Sequence, residues 1–301
     1  MRIAVVGGGG FIGRHLIQRL LDDGTFEITV VTRDAATASF PQSAKLEVIE
    51  WQSRSSRIVP FLDQDAIINL AGANVAGGWW TRRRKQELLD SRVMTTQRIV
   101  TALRTAHPRP RVLINASAVG YYGQRETQAD ETTRPGQDFL ATVCKEWETV
   151  AAAASESDVR PVMARFGFVL GRDGGALQRM LPAFRRGLGG PLGNGRQWCS
   201  WVHIDDTVSA ILHCLLTEGV RGPVNITAPI PVRNEELSRT LGEVLQRPAR
   251  LPAPAFALRL CLGEMADLLL NGQDARPQQL VESGFLFQYE DLRSALLALA
   301  L

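Results

Sequence analysis

Residues 2–20 read RIAVVGGGGFIGRHLIQRL, with an apolar run, a cluster of glycines and a helical pattern in direct succession. The apolar run has the length of a buried strand, and Ile12, Leu16 and Leu20 recur at the spacing of one helix face. Gly24 then marks the end of the helix. The order strand, glycine turn, helix predicts the first unit of an α/β fold.

The glycine cluster contains the pattern G-x-x-G-x-x-G at Gly7, Gly10 and Gly13. Glycine allows a tight turn and lets the backbone approach a pyrophosphate without an intervening Cβ. The N-terminus of the next helix offers unpaired N–H groups and a partial positive charge to that anion. A flexible turn is the simpler alternative, but the position between a strand and a helix favours dinucleotide binding.

The end of the second apolar run, Val31-Thr32-Arg33, bears on which dinucleotide is bound. NAD-binding domains of this kind place an acidic side chain there, which accepts a hydrogen bond from the ribose 2′-hydroxyl. Arg33 instead matches a 2′-phosphate in charge and geometry. The alternative is a solvated Arg33, with Asp34 in the acidic role. We expect NADP as the cofactor in preference to NAD.

Apolar runs alternate with helical patterns through the first half of the chain. The remaining strand candidates are residues 28–31, 46–49, 66–70, 112–116 and 159–166. One helix is predicted over residues 137–155, and another from Thr81 to the prolines at 108 and 110, with an apolar face at Leu89, Val93, Val100 and Leu103. Uniformly apolar strands separated by helices predict an α/β fold with a doubly wound parallel sheet of the Rossmann type.

The character of the chain changes after Gly167, where glycine-rich stretches and frequent prolines begin. We expect a dinucleotide-binding domain over residues 1–167, with residues 199–228 returning to it. Residues 168–301 are expected to form a smaller, loop-rich region with three or four helices. Such a region on an α/β sheet covers the cofactor cleft and binds substrate.

Composition narrows the class of partner. A net charge of +3 over 301 residues is too small to indicate nucleic acid or a membrane surface, so a small molecule is the expected partner. The four cysteines are far apart and predict neither a metal site nor a disulfide framework. Charges interrupt the apolar stretch 255–270, and the start of the chain lacks the pattern of a signal peptide. We expect a cytoplasmic protein of open oligomeric state.

Four later segments carry a family resemblance, namely residues 69–72 (NLAG), 117–123 (SAVGYYG), 193–197 (GNGRQ) and 201–206 (WVHIDD). Together with the glycine loop, they resemble the extended short-chain dehydrogenase/reductase superfamily of sugar-nucleotide epimerases and dehydratases. Residues 79–81 (WWT) and 172–177 (RDGGAL) are similar to its atypical "epimerase family protein" branch, which has a short extra C-terminal region. The resemblance spans nearly the whole chain.

The resemblance implies a set of cofactor contacts at the carboxyl edge of the sheet. It places the pyrophosphate at the glycine loop, the adenosine phosphate at the end of the second strand, and the nicotinamide ribose along the segment after the fourth strand. The residues implied are Gly7, Gly10, Phe11, Ile12, Gly13, Thr32, Arg33, Leu70, Ala71 and Gly72.

The implied catalytic set departs from the superfamily pattern. Ser117 matches the serine that hydrogen-bonds the reacting oxygen, although it also suits a small residue ending a strand. The superfamily uses a tyrosine to transfer a proton and, four residues later, a lysine that lowers the tyrosine pKa and holds the ribose. Here Ala141 stands at the tyrosine position, with Lys145 four residues on. Tyr121 and Tyr122 are candidate replacements for the tyrosine, or form an aromatic wall.

The substrate side departs as well. Sugar-nucleotide enzymes of the superfamily carry an arginine where this chain has Cys199, so a diphosphate loses one strong partner unless nearby Arg196 compensates. His203 is left open, while the two aspartates after it match a structural helix cap. Four tryptophans either line an apolar substrate pocket or pack in the core, namely Trp79, Trp80, Trp198 and Trp201.

Two functions follow from these patterns. The first is an NADP-dependent oxidoreductase or epimerase acting on a carbonyl or alcohol of an unidentified small molecule. The second is a non-catalytic NADP(H)-binding sensor that acts through a protein partner, which the missing tyrosine favours. A third hypothesis is a protein-interaction module with a vestigial cleft, and it predicts no dinucleotide binding.

Overall fold

The computed structural model describes residues 1–35, 40–51 and 63–301. Strands are short and alternate with helices through most of this length. In chain order the strands are β1 (Arg2–Val6), β2 (Glu27–Thr32), β3 (Leu46–Glu50), β4 (Ala66–Asn69), β5 (Val112–Ala118), β6 (Gln128–Ala129), β7 (Arg160–Phe166), β8 (Phe168–Leu170), β9 (Trp198–Cys199), β10 (Trp201–His203), β11 (Gly222–Ile226), β12 (Val232–Arg233) and β13 (Asp274–Ala275).

The helices fall into long ones that flank the sheet and shorter ones near the C-terminus. In chain order they are α1 (Phe11–Asp23), α2 (Arg82–Leu103), α3 (Phe139–Ala152), α4 (Gly175–Arg185), α5 (Ile204–Leu216), α6 (Asn234–Val244), α7 (Ala255–Leu262), α8 (Asp267–Leu270), α9 (Gln278–Glu282) and α10 (Leu292–Ala298). None of the helices in the described ranges is long and apolar enough to cross a membrane.

Seven strands form one parallel sheet in the order β3-β2-β1-β4-β5-β7-β11. The chain winds outward from β1 in one direction and then from β4 in the other. This reversal opens a crevice beyond the carboxyl ends of β1 and β4, where ligands bind in such sheets. The predicted α/β fold of the Rossmann type is confirmed.

Alternate side chains of β1 face two separate cores, as strand geometry requires. Ile3 and Val5 belong to a core with α1, α5 and part of the C-terminal region. Ala4 and Val6 belong to a second core on the other face of the sheet, where they meet α2. Because both faces are covered, the strand is apolar throughout, which is the pattern that made it predictable.

The predicted face of α2 is partly wrong. Leu89 and Val93 are only half-buried, and the buried residues are Leu88, Thr96, Ile99, Val100 and Leu103. The Oγ of Thr96 accepts hydrogen bonds from Asn69 Nδ2 at 3.0 Å and Trp147 Nε1 at 2.8 Å. A buried polar side chain with these partners is stable, but apolar periodicity overlooks it.

Outside residues 199–228, the C-terminal region contains six α-helices, more than the three or four predicted. Two of them, α8 and α9, have only 4 and 5 residues and are too short to recognise from periodicity. Strand β11, which lies within residues 199–228, pairs with β7 and extends the main sheet. Strand β13 pairs with β6 and joins the end of the chain to the loop after β5. These pairings hold the C-terminal region over the carboxyl edge of the sheet.

Candidate active site

The glycine loop lies against the loop that follows β4. Gly7 has φ of +80°, and a Cβ built there would lie 2.8 Å from Ala71 N. A Cβ at Gly13 would lie 2.6 Å from the Gly8 carbonyl oxygen. Gly10 is the N-cap of α1 and has no side chain, so the first N–H groups of the helix make no hydrogen bond to a capping side chain. This cradle of bare backbone at a helix N-terminus fits a pyrophosphate.

A second glycine-rich loop, between β8 and α4, closes over Phe11. A Cβ at Gly171 would lie 2.3 Å from Phe11 Cζ, and one at Gly174 would lie 2.2 Å from Phe11 Cδ2. The ring therefore packs directly on backbone that no larger residue can provide. These glycines fix the start of α1 relative to the C-terminal half of the chain.

A cavity of about 1020 Å³ extends from the glycine loop, past the ends of β4 and β5, to the C-terminal region. It brings together most of the residues that the sequence singled out for cofactor and reacting groups. Those at the cavity wall are Gly7, Gly10, Phe11, Ile12, Gly13, Leu70, Ala71, Gly72 and Ser117.

Thr32 and Arg33 lie at the end of β2, and neither is among the residues that line this cavity. The Gly7 N–H donates to Val31 O at 3.1 Å, which sets this strand end beside the glycine loop. Arg33 is exposed there. The Thr32 hydroxyl accepts a hydrogen bond from the Asp34 N–H at 3.4 Å.

Ser117 is buried at the end of β5 and is tied to an ion pair. Its hydroxyl donates to Glu148 Oε1 at 2.6 Å. Arg165 donates from Nε to the same oxygen at 2.8 Å and from Nη2 to Oε2 at 2.7 Å. Burial alone opposes the charge on Arg165, but its hydrogen bonds and ion pair with Glu148 raise its pKa above the ordinary value.

Tyr121 and Tyr122 extend this network away from the cavity. Arg165 Nη1 donates to the Tyr122 hydroxyl at 2.8 Å, which donates to Asn225 Oδ1 at 2.7 Å, and the Tyr121 ring lies 3.6 Å from the Arg165 guanidinium carbon. Burial raises the pKa of Tyr122 to about 12. Neither tyrosine lines the cavity, so the expectation that one of them replaces the missing proton donor is not supported.

Helix α3 presents a different set of residues to the cavity from the one inferred. The α3 residues at the wall are Leu140, Val143, Cys144 and Trp147, while Lys145 is exposed. Successive residues are about 100° apart around a helix, so a shift of one position moves a side chain off the wall. Lys145 is therefore not among the residues that line this cavity, and its expected contact with the ribose stays a prediction. Neither tyrosine nor lysine stands on the cavity face of this helix.

Cys144 and Arg92 are two further polar residues at this wall. Burial raises the pKa of the Cys144 thiol to about 11, so it stays protonated at neutral pH. Arg92 donates to Leu88 O at 2.9 Å and Ala73 O at 3.1 Å, and burial lowers its pKa. A Cβ at Gly72 would lie 3.1 Å from Arg92 Cζ, so the guanidinium packs closely against the Gly72 backbone.

The tryptophans divide between wall, surface and core. Trp80 and Trp198 line the cavity, Trp79 is 61% exposed, and Trp201 is fully buried. His203 is the residue that caps α5, since its Nδ1 accepts from the Asp205 N–H at 3.1 Å. The expected cap by an aspartate is therefore wrong; Asp206 instead accepts from the N–H groups of Gln288 and Tyr289.

Comparison with known proteins gives the family. Residues 3–227 match the NAD dependent epimerase/dehydratase family. The chain belongs to this family. Residues 253–299 match a second family, a domain of unknown function named DUF1731. The resemblance inferred from the sequence, including its extra C-terminal region, is confirmed.

Relatives in this family match the chain over nearly its whole length. It is 42% identical over 309 residues to the "epimerase family protein SDR39U1 homolog, chloroplastic" of Arabidopsis thaliana, covering 99% of this chain and 86% of the relative. The crystal structure of the human epimerase family protein SDR39U1 (isoform 2) with NADPH is 34% identical, with a TM-score of 0.90 over 100% of this chain and 99% of that one. UDP-glucuronic acid 4-epimerase from Bacillus cereus shares the fold, at 18% identity and a TM-score of 0.77 over 98% and 96%.

Proposed function

We propose that this protein binds NADP(H) and acts as an oxidoreductase or epimerase on a carbonyl or alcohol of a small molecule. The observation that carries the proposal is the continuous cavity of about 1020 Å³ that begins at the glycine loop and ends at the C-terminal region. An enzyme that transfers hydride needs such a cleft, because the cofactor and the substrate must meet in a fixed orientation.

NADP(H) is favoured over NAD(H) by the charge at the end of β2. Arg33 is exposed beside the glycine loop, where a 2′-phosphate would lie. The human relative was crystallised with NADPH. When bound, the cofactor donates a hydride to a carbonyl carbon or accepts one from an alcohol.

The residues at the wall divide the remaining tasks. Because the Ser117 hydroxyl donates to Glu148, its lone pairs are left to accept a hydrogen bond from a substrate hydroxyl. Burial keeps the Cys144 thiol protonated at the same wall. Arg92 supplies, from α2, the positive charge that lysine supplies from α3 in the wider superfamily. We assign Arg92 to the nicotinamide ribose and Ser117 to the reacting oxygen.

A non-catalytic NADP(H) sensor is the second candidate. It is favoured by the cavity face of α3, which carries Leu140 and Cys144 rather than a tyrosine and a lysine. The sensor and the enzyme share the cofactor and differ only in turnover.

The cofactor is tested by titrating the protein with NADPH and NADH in a calorimeter. Wild type is expected to bind NADPH more tightly, and Arg33→Ala to weaken NADPH by about ten- to a hundredfold, since a charge-assisted hydrogen bond is lost. NADH binding should stay unchanged. Arg19→Ala, an exposed arginine on α1, is the matched control. Equal affinities for the two dinucleotides in wild type would contradict the assignment of NADP(H).

Turnover separates the enzyme from the sensor. Formation of NADPH from NADP⁺ is followed by its fluorescence with a panel of primary and secondary alcohols, for wild type and Ser117→Ala. If the protein is an enzyme, at least one alcohol is oxidised, and the variant loses most of this activity because Ser117 no longer orients the reacting hydroxyl. Tight NADPH binding with no turnover across the panel would support the sensor instead.

A further inference from the structure

The end of the cavity away from the glycine loop has apolar walls from three separate parts of the chain. We call it the substrate compartment; it is lined by Trp80, Phe139, Leu140, Met265, Leu268 and Leu269. The rings of Trp80 and Phe139 meet edge to face, with centroids 5.3 Å apart. Such walls bind apolar or aromatic groups.

Charges beside the substrate compartment are already neutralised within the protein. Lys85 forms an ion pair with Glu264, and its ammonium lies 5.1 Å from the Phe139 ring centre. Asp267 pairs with Arg259 at 3.7 Å. A diphosphate entering here would have to compete with Glu264 for Lys85.

The position that holds a diphosphate in sugar-nucleotide enzymes is neutral here. Burial raises the pKa of the Cys199 thiol to about 12. Arg196 is exposed and does not line the cavity, so the expected compensation from it is absent. Three cations of the described residues line the cavity: Lys85 pairs with Glu264, and Arg92 and Arg179 donate to the carbonyls of Ala73 and Ala76 on the loop after β4.

Uncharged polar side chains also line the cavity, among them Gln197, Asn271 and Gln273. Gln197 is 9% exposed, and its Nε2 donates to Leu192 O at 3.0 Å and to Leu269 O at 2.7 Å. Its Oε1 is enclosed, so a ligand in the cavity does not reach it. None of these three side chains brings a charge to the cavity wall.

We infer that the substrate compartment takes an uncharged, largely apolar carbonyl or alcohol. This inference rests on the proposed function, because the compartment opens onto the cofactor cleft. It sets this chain apart from enzymes that take nucleoside diphosphate sugars.

The test uses wild-type protein saturated with NADPH, with NADPH binding measured first by calorimetry. Two probes are then titrated against tryptophan fluorescence: 2-naphthaldehyde and UDP-glucose. The aldehyde should bind, because its rings fit the apolar walls, and UDP-glucose should not. Leu268→Asp should weaken binding of the aldehyde at least tenfold, whereas Leu297→Asp, at an exposed leucine of α10, should leave it unchanged.

Three results would overturn the inference while leaving NADPH binding intact. They are binding of UDP-glucose in preference to the aldehyde, no binding of the aldehyde, and binding of the aldehyde that Leu268→Asp leaves unchanged. Failure of NADPH to bind in the first step would instead overturn the proposed function, and the inference with it.

Discussion

Among single residues, Glu148 has the most consequential position, because it joins Ser117 at the cavity to Arg165 within the fold. The carboxylate is 6% exposed and the arginine 1% exposed. Taking two charges out of water is costly, so the pair is retained only if its hydrogen bonds are complete. Its position behind the serine indicates that it orients the hydroxyl as well as stabilising the sheet.

Removing the charge at position 148 leaves Arg165 buried without a counter-ion. Glu148→Gln is expected to lower the free energy of unfolding by about 3–5 kcal/mol. Urea denaturation followed by circular dichroism measures this. Glu146→Gln, at an exposed position on the same helix, should lie within about 0.5 kcal/mol of wild type. Equal stability of the two variants would mean that the ion pair does not stabilise the fold.

At the same scale, the sequence predicted part of the site and not the rest. Gly7, Gly13 and Ser117 were predictable because each follows a recognisable strand and has a specific backbone or hydroxyl role. The two tyrosines were misassigned because sequence proximity to Ser117 does not determine which way a ring points. Arg165, far along the chain, draws both of them away from the cavity.

Among the elements, β1 and α1 meet at a loop in which Gly13 has no room for a side chain. A Cβ at Gly13 would lie 2.6 Å from Gly8 O and 2.7 Å from Gly8 Cα. Gly13→Ala should therefore displace the loop and weaken NADPH binding by more than tenfold, measured by calorimetry. Gly9→Ala is the control, since its Cβ has no atom within 4 Å, and it should bind as wild type does. Unchanged binding by Gly13→Ala would contradict the close-packed loop.

On α2 and α3, the orientation of the helix about its own axis determines which residues are buried, and the sequence did not predict that orientation fully. Six of the seven strands of the main sheet were predicted, because both faces of the sheet are apolar, whereas β11 was not. The buried face of α2 includes Thr96, whose partners lie on β4, β5 and α3 and are invisible to periodicity. On α3 the motif match placed Lys145 at the active site, but packing turns Cys144 inward instead.

Across the whole molecule, buried thiols and a buried phenol make stability depend on alkaline pH. Burial raises the pKa of Cys144 to about 11 and that of Cys214 to about 12, from an ordinary thiol value of 9.0. The pKa of Tyr122 rises from 10.0 to about 12 by the same cause. Above the ordinary values the unfolded chain releases protons that the folded chain keeps, so stability is fully present below them and is lost as pH rises.

The free energy of unfolding should therefore fall between about pH 9 and about pH 12, by up to about 1.4 kcal/mol per pH unit for each such group. Urea denaturation at a series of alkaline pH values measures the slope. The double variant Cys144→Ala, Cys214→Ala should show a shallower fall than wild type. Identical slopes would show that these thiols ionise alike in the folded and unfolded states.

Across the whole molecule, the glycine loop, Ser117 and the substrate compartment line one continuous cavity. The most direct measurement is a crystal structure of the protein with NADPH. We expect the pyrophosphate at the first turn of α1, the 2′-phosphate beside Arg33, and the nicotinamide between Ser117 and Arg92. Electron density for the dinucleotide elsewhere on the protein, or none in crystals grown with saturating NADPH, would contradict the account.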